Sequence, residues 1–279
     1  MLTQVTYFED TATLWSSHLP GVELFQARLI HHAFSKHFHD AYTIGLNLSG
    51  QGQCFHQGTT HRNNPGTFNL LNPGEVHTGQ VAQGHWAFRN LYISAPLMAS
   101  LMAQLEQPSS ALPHLQGPNI QRPALSALFQ PLFQALGGPA TLLTQQSRLL
   151  SLVAQLPCHR ATPLPQAGTE PKAIARVRAY IDTHYADNFS LETLSATVNL
   201  SPYYLIRSFK KQMGLPPHSY QRQVRLLQAK RSLRTDKPLA AIAADNGFYD
   251  QSHLTRAFKR AFGVTPGQYR RQGNSVQYW

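Results

Sequence analysis

The C-terminal part of the chain contains a sequence repeat at a spacing of 49 residues. Residues 209–222 read FKKQMGLPPHSYQR, and residues 258–271 read FKRAFGVTPGQYRR. A solenoid needs at least about three stacked units, so two copies are too few for one. The repeat therefore predicts one small structural module that is used twice.

Each copy has the pattern of a helix-turn-helix. In the first copy, Ser190 and Ser201 stand at N-cap positions, Pro202 follows at the first helical position, and Gly214 ends the second helix. In the second copy, LAAIAADNG predicts the first helix, and Asp250 caps the next one. The second helix of each copy has an inward stripe at helical spacing, formed by Leu205, Phe209 and Met213 and by Leu254, Phe258 and Phe262.

The outward faces of these second helices carry side chains that can read DNA. Arg binds guanine bidentately, Gln binds adenine, and Ser or Thr contacts either base. Lysines and arginines at the helix ends suit phosphate, which positions the protein without specifying sequence. For any single residue the alternative is an ordinary solvated surface. The candidate DNA-binding residues are Tyr203, Ile206, Arg207, Lys210 and Lys211 in the first module and Gln251, Ser252, Thr255, Arg256, Lys259 and Arg260 in the second.

The net charge of +11 lies entirely in this half of the chain. The first 170 residues contain seven basic and seven acidic side chains, whereas the rest contain 17 basic and six acidic ones. A cationic domain favours a polyanion partner, because neutralising phosphates releases condensed counterions. With 42% hydrophobic residues, the composition excludes a disordered chain.

A continuous helix is predicted between the two modules. SYQRQVRLLQAKRSLR places Val224, Leu227 and either Ala229 or Arg231 at near-helical spacing. A helix of about 18 residues spans roughly 27 Å. With the width of the modules added, this approaches the DNA turn of about 34 Å, so both reading helices could enter successive major grooves.

Residues 247–270, GFYDQSHLTRAFKRAFGVTPGQYR, resemble the signature of the AraC/XylS family of bacterial transcription regulators. The upstream copy is similar to the family's first helix-turn-helix, and the resemblance covers roughly residues 171–271. The resemblance implies that seven of the candidate residues face the bases. They are Tyr203, Ile206 and Arg207 in the first module and Gln251, Ser252, Thr255 and Arg256 in the second. His253 stands where the family varies, so it either touches DNA or covers the backbone.

The N-terminal half predicts strands followed by helices. Short alternating runs between residues 37 and 94, separated by turns at SGQG, NNPG and NPGE, favour a sandwich or small barrel. From residue 97 to 156 the pattern becomes helical, with an amphipathic helix through Leu142, Leu149, Val153 and Leu156. We therefore expect an α+β chain with a cupin-like β-barrel domain over 1–156, a proline-rich linker over 157–171, and an all-α DNA-binding domain over 172–279.

Three histidines of the N-terminal half stand out. His37 and His39 are two residues apart and share a face in a strand, and His77 follows the NPGE turn. Together with Glu75, they resemble the two motifs of the cupin barrel, in which such histidines bind a catalytic metal. The glutamate of that pattern is replaced by Thr43 or Ile44. Effector contacts are favoured over a metal site and over structural hydrogen bonds, so we expect His37, His39, His77 and Glu75 to bind an effector and expect no cofactor.

The sequence thus predicts a ligand-responsive, DNA-binding transcription regulator that senses a small polar metabolite. One alternative is a metal-dependent cupin enzyme fused to a DNA-binding tail, against which the missing glutamate counts. Another is a constitutive DNA-binding protein with a dimerising N-terminal domain. No run of 18 apolar residues or signal peptide is present, so we expect a cytoplasmic protein with reduced Cys54 and Cys158. We also expect a homodimer. Its expected partners are promoter DNA, the effector and RNA polymerase.

Overall fold

The computed structural model describes residues 9–105, 112–160 and 169–273. Within them, an N-terminal domain of antiparallel strands and three helices precedes an all-helical C-terminal domain, which confirms the predicted fold class. The strands are β1 (Thr11–Ser16), β2 (Val22–Leu29), β3 (Ala33–His37), β4 (Ala41–His56), β5 (Thr59–Asn63), β6 (Thr67–Leu71), β7 (His77–Ser94), β8 (Pro113–Leu115), β9 (Asn119–Gln121) and β10 (Cys158–Arg160). The N-terminal helices are α1 (Ala95–Gln104), α2 (Pro123–Gly137) and α3 (Leu142–Ala154).

Eight strands form one antiparallel sheet in the order β1-β2-β7-β4-β6-β9, with β3 also paired to β7 and β5 to β4. The strands β4 and β7 are 16 and 18 residues long and run through most of the sheet. The predicted turns at NNPG and NPGE do separate β5 from β6 and β6 from β7.

The expected turn at SGQG is wrong, because these residues lie inside β4. The pairing of β4 with β7 shifts register here, so the chain bends without leaving the sheet. Gly50 adopts a φ of 70°, and a Cβ atom at this position would collide with the carbonyl oxygen of His85. The close approach of Gly50 to the backbone of His85 requires glycine in this bulge. Because turns also favour glycine, the sequence alone indicates a turn here.

The helices α2 and α3 pack on one face of the sheet. Phe129 and Leu149 are fully buried there and belong to the same apolar cluster as Ile44 and Leu91 of the sheet. Leu142 was predicted to join this face, but it is 55% exposed because it lies at the first residue of α3, beyond the packed turns.

Part of the predicted linker over 157–171 is regular structure. The strand β10 pairs with β8, and α4 begins at Thr169, while residues 161–168 lie outside the described part of the chain, as do residues 1–8 and 274–279 of the predicted domains. The C-terminal helices are α4 (Thr169–Thr183), α5 (Leu191–Val198), α6 (Pro202–Met213), α7 (Pro217–Ser232), α8 (Leu239–Asp245), α9 (Gln251–Phe262) and α10 (Pro266–Gly273).

The two modules are α5–α6 and α8–α9, and their predicted caps are present. Ser190, Ser201 and Asp250 each accept a backbone N–H three residues ahead, at 3.1, 3.3 and 2.6 Å. Gly214 and Gly263 end α6 and α9 in the left-handed conformation. The inward stripes are buried, apart from the half-buried Met213.

The predicted connecting helix is α7, whose 16 residues span about 24 Å. Val224, Leu227 and Ala229 are buried, whereas Arg231 is exposed and is therefore not part of the inward stripe.

The two domains share one hydrophobic cluster. Phe25 and Phe88 of the sheet belong to it together with Leu227 of α7 and Phe262 of α9. Because a single core spans both domains, the positions of α7 and α9 depend on the sheet. In the described part of the chain, no helix combines the length and the apolar character needed to cross a bilayer.

Candidate functional site

The reading helices α6 and α9 present the predicted DNA-binding side chains to solvent. Tyr203 and Ile206 on α6 are 76% and 38% exposed, although both side chains are large and partly or wholly apolar. Such exposure is costly in water, so it favours a surface that is covered when a partner binds. Arg207, Gln251, Ser252 and Arg256 are also exposed, and Thr255 is half-buried.

The basic residues at the carboxyl ends of these helices are exposed as well. Lys210 and Lys211 lie in the last turn of α6, and Lys259 and Arg260 lie in the last turn of α9. The equivalent placement follows from the repeat. It gives the two modules matching cationic ends.

The structure assigns a local contact to His253. Its Nδ1 accepts the backbone N–H of Tyr249 at 3.4 Å, so it covers the backbone. Tyr249 itself is 92% exposed and directly precedes the N-cap of α9. The sequence analysis does not single out this exposed aromatic side chain, although its place directly ahead of a predicted reading helix is a usable signal.

A cavity of about 50 Å³ lies between the sheet and the DNA-binding domain. This volume accommodates a few waters, an ion or a compact polar group. His37, His39 and His77 line it, as predicted for an effector site, and aromatic side chains including Phe25 and Trp86 form much of the remaining wall.

The three histidines come from separate elements around β3 and β7. His37 is the last residue of β3 and is paired with His77, the first residue of β7. His39 lies just beyond β3 and so does not share a strand face with His37 as predicted, but it still reaches the same cluster. The ring centroid of His37 lies 4.9 Å from that of His39 and 4.3 Å from that of His77.

The histidine rings are uncharged at neutral pH. Burial lowers the pKa of His37 to about 4, and it lowers the pKa values of His39 and His77 well below their usual range, with neighbouring histidines adding to the effect. Neutral rings can accept hydrogen bonds or bind a ligand through a lone pair.

Three further polar atoms of cavity-lining residues are buried without a hydrogen bond. They are Oγ1 of Thr43, Nδ2 of Asn63 and Oδ1 of Asn69. Buried polar groups in folded proteins are almost always paired. Unpaired donors and acceptors on one cavity wall therefore indicate a polar ligand.

Glu75 is placed apart from this cavity. Its carboxylate accepts hydrogen bonds from the backbone and side-chain amides of Asn72, at 2.8 and 3.1 Å, and lies 3.3 Å from Nε2 of His56. It lines a neighbouring groove between the sheet domain and α6. Its backbone carbonyl contacts Nδ1 of His77 at 3.0 Å, so the residue supports the cluster through its backbone.

The DNA-binding domain supplies part of the cavity wall, which sequence reasoning missed. Lys230 of α7 and Ala261 and Phe262 of α9 line it. The Lys230 ammonium is buried and lies 2.6 Å from Oε2 of Glu23 on β2. Nothing in the sequence around these residues marks them as neighbours of the histidines.

Glu23 is the centre of a partly buried polar cluster that joins the domains. Its carboxylate also accepts from Tyr269 at 2.5 Å and from Arg234 at 3.0 Å. Burial alone would raise the pKa of Glu23, but the charge and hydrogen bond of Lys230, with Tyr269 and Arg234, lower it to about 2. The same carboxylate raises the pKa of Lys230 despite its burial.

Known families match both domains. Residues 19–153 match the AraC-like ligand-binding domain, and residues 194–272 match a helix-turn-helix domain. An uncharacterized HTH-type transcriptional regulator, YbfI of Bacillus subtilis, is 31% identical over 88% of this chain and 90% of its own. The arabinose operon regulatory protein of Escherichia coli is 30% identical over 77% of this chain and 75% of its own.

A solved structure shares the whole fold. Apo ToxT from Vibrio cholerae aligns with a TM-score of 0.55 over 96% of this chain and 98% of its own, at 11% identity. The regulators matched in sequence give no support to the alternative of a cupin enzyme with a DNA-binding tail.

Proposed function

Because this chain belongs to the AraC/XylS family of DNA-binding transcription regulators with a ligand-binding domain, we propose that its effector binds in the histidine-lined cavity. The observation that carries the proposal is the composition of the cavity wall. His37, His39 and His77 of the sheet domain face Lys230 and Phe262 of the DNA-binding domain across one space. A ligand in that space contacts both domains at once.

The effector is a compact, polar molecule. The cavity is small, and its unpaired Thr43, Asn63 and Asn69 atoms offer both donors and acceptors. Few but well-placed polar groups within an apolar wall are typical of small-ligand sites. Glu75 contributes by holding the ring of His77 in place.

Effector binding acts on DNA binding through α7 and α9. The helix α9 is a reading helix, and Phe262 at its end is part of the cavity wall. A ligand that binds better to one position of this helix shifts the population of that position. The two modules then meet successive major grooves with altered spacing.

On DNA, the exposed residues of α6 and α9 divide into two roles. Arg207 and Arg256, with their neighbours Tyr203, Ile206, Gln251, Ser252 and Thr255, read bases, and Lys210, Lys211, Lys259 and Arg260 hold phosphates. Tyr249 joins the readers because of its exposure.

The proposal includes the domain bounds, the oligomeric state and a protein partner. The sensory domain covers 1–156, the linker 157–171 and the DNA-binding domain 172–279. The protein acts as a homodimer, for which the exposed Leu142 and Leu143 on α3 provide apolar surface. RNA polymerase is a further partner at the promoter.

A thermal-shift screen of amino acids, hydroxy acids and small polyols against the full chain tests the effector site. A ligand present at about 100 times its Kd stabilises the protein by about 2.7 kcal/mol. Thr43→Val removes the buried hydroxyl at nearly constant volume and should weaken the response, whereas Thr60→Val on the exposed face of β5 should leave it unchanged. Equal responses in both variants would place the effector elsewhere.

A further inference from the structure

The ring nitrogens of His37, His39 and His77 are arranged as a set of metal ligands. One nitrogen from each ring lies within 4.8 Å of the other two. Zn²⁺ binds imidazole nitrogen at about 2.0–2.1 Å, so three nitrogens in such a group can converge on one ion after small ring rotations. We propose that these three histidines form a binding site for a divalent first-row transition metal ion.

Backbone hydrogen bonds fix which nitrogen is available in two of the rings. Nδ1 of His37 lies 2.7 Å from the carbonyl oxygen of Ser35, and Nδ1 of His77 lies 3.0 Å from that of Glu75. A carbonyl oxygen only accepts, so each Nδ1 carries the ring hydrogen. The lone pair of each ring therefore lies on Nε2, which is free to bind an ion.

This is the support that metal-binding histidines have in known sites. A histidine ligand almost always donates its other ring N–H to a carbonyl or carboxylate, which fixes its tautomer and orientation. Here the acceptor is in both cases the carbonyl two residues earlier in the chain. The third ring, His39, has no hydrogen bond in the described residues, so both of its nitrogens are available.

The donor set selects the class of ion. Three imidazoles without a carboxylate suit Zn²⁺, Ni²⁺ or Co²⁺ and do not suit Mg²⁺ or Ca²⁺, which prefer oxygen ligands. The two carboxylates nearest in sequence do not join the group: Asp40 pairs with Arg231, and Glu75 is held by Asn72.

Three protein ligands leave a coordination position for an outside ligand, which is the arrangement of open zinc sites. The three histidines line a cavity that also holds the unpaired Thr43 and Asn69 oxygens. An effector with an oxygen donor can therefore bind the ion and these side chains together. This last step rests on the proposed effector site, whereas binding of the ion does not.

The charge of the ion is tolerated next to Lys230. That ammonium also lines the cavity, but the carboxylate of Glu23 lies 2.6 Å from it. The same carboxylate accepts a hydrogen bond from the hydroxyl of Tyr269. The lysine that shares the cavity with the histidines is therefore already neutralised by a carboxylate.

The test uses the full chain, stripped of metal with a chelator that is then removed. Titration with Co²⁺ alone should give the visible d–d absorption of a nitrogen-bound, low-coordinate ion at one equivalent, and Zn²⁺ should displace it. His39→Ala and His77→Gln should each weaken binding by more than the 10–100-fold that loss of an outer-shell partner causes. His18→Ala, which changes an exposed histidine, should bind like the wild type.

A wild-type protein that binds neither ion stoichiometrically overturns the proposal, whether or not the variants fold. So does a Co²⁺ spectrum that is unchanged in both His39→Ala and His77→Gln. If no ion binds and a metabolite still stabilises the wild type more than Thr43→Val, the metal site is refuted and the effector site stands.

Discussion

Tyr220 and Tyr269 occupy equivalent positions in the two copies of the repeat, on the helices that follow α6 and α9, yet their hydroxyl groups donate to carboxylates in different domains. Each ring packs against the core phenylalanine of its own reading helix, Phe209 at 5.5 Å and Phe258 at 6.0 Å. Tyr220 donates to Asp182 of α4 at 3.0 Å, inside the DNA-binding domain, whereas Tyr269 donates to Glu23 of the sheet. The second copy of the repeat is thus tied to the sheet domain, whereas the equivalent contact of the first copy stays within the helical domain.

We expect Glu23→Gln to destabilise the protein by about 3–5 kcal/mol, because removing one partner of a buried ion pair leaves the other charge uncompensated. Lys230 would remain buried without its carboxylate. The measurement is the free energy of unfolding in urea. Asp40→Asn is the matched control, since the exposed pair of Asp40 with Arg231 should contribute only about 0–1 kcal/mol. Equal losses in the two variants would contradict the central role of Glu23.

The pH dependence of stability follows from the same carboxylate. The pKa of Glu23 is lowered to about 2 in the folded state from an ordinary value of 4.5. Its contribution is therefore fully present above pH 4.5 and is lost as the pH falls from 4.5 towards 2. Unfolding free energies of the wild type and Glu23→Gln should converge over this window. A difference that stays constant from pH 6 to pH 3 would argue against the assignment.

Arg207→Ala and Arg256→Ala should each cost about 1–3 kcal/mol in operator binding and relax base preference at one position. Lys210→Ala should weaken operator and random DNA alike and reduce the salt slope by about one. Binding of the full chain to both DNAs, followed by fluorescence anisotropy, distinguishes these roles. Arginine variants that lose equal affinity for the two DNAs would show that they hold phosphate.

Binding to DNA should depend strongly on salt, because all of the net positive charge lies after residue 170. With about 6–10 phosphate contacts, affinity falls roughly 10³–10⁵-fold between 50 and 200 mM salt. The measurement is the dissociation constant of the full chain across this range. A nearly flat response would exclude a phosphate-dominated interface.

Phe262→Leu should change effector affinity, because Phe262 lines the cavity at the end of α9. Phe258→Leu is its control, since Phe258 is equally part of the α9 core but does not line the cavity. Both variants should lose stability, but only Phe262→Leu should shift the effector dissociation constant measured by calorimetry.

Operator DNA should alter effector affinity by the same factor as effector alters operator affinity.

The helical half was predictable because its signals are local. Ser201, Asp250 and Gly214 act on backbone groups a few residues away, and the inward stripes follow from helical spacing. The repeat then predicted that α6 and α9 expose equivalent faces. Each of these features depends on sequence neighbours, so no knowledge of the tertiary contacts was needed.

Only the histidine side of the cavity was predictable, because the rest of it depends on contacts between distant segments of the chain. The histidines stood out by their spacing, but Lys230 and Glu23 are 207 residues apart and meet only because the domains pack. The bulge at Gly50 likewise depends on His85 of the paired strand. Contacts between distant segments leave no periodic trace in the sequence.

Under the proposed effector site, the shared wall of the cavity also bears on how a regulator of this kind can acquire a new effector. Thr43, Asn63 and Asn69 lie on sheet strands, and they can be exchanged without touching a helix that reads DNA. Lys230 and Phe262 lie on helices of the DNA-binding domain, so under the proposed effector site an exchange there acts on that domain as well as on ligand choice. On this proposal, effector specificity can diversify from the sheet side of the cavity, while the helical side constrains it.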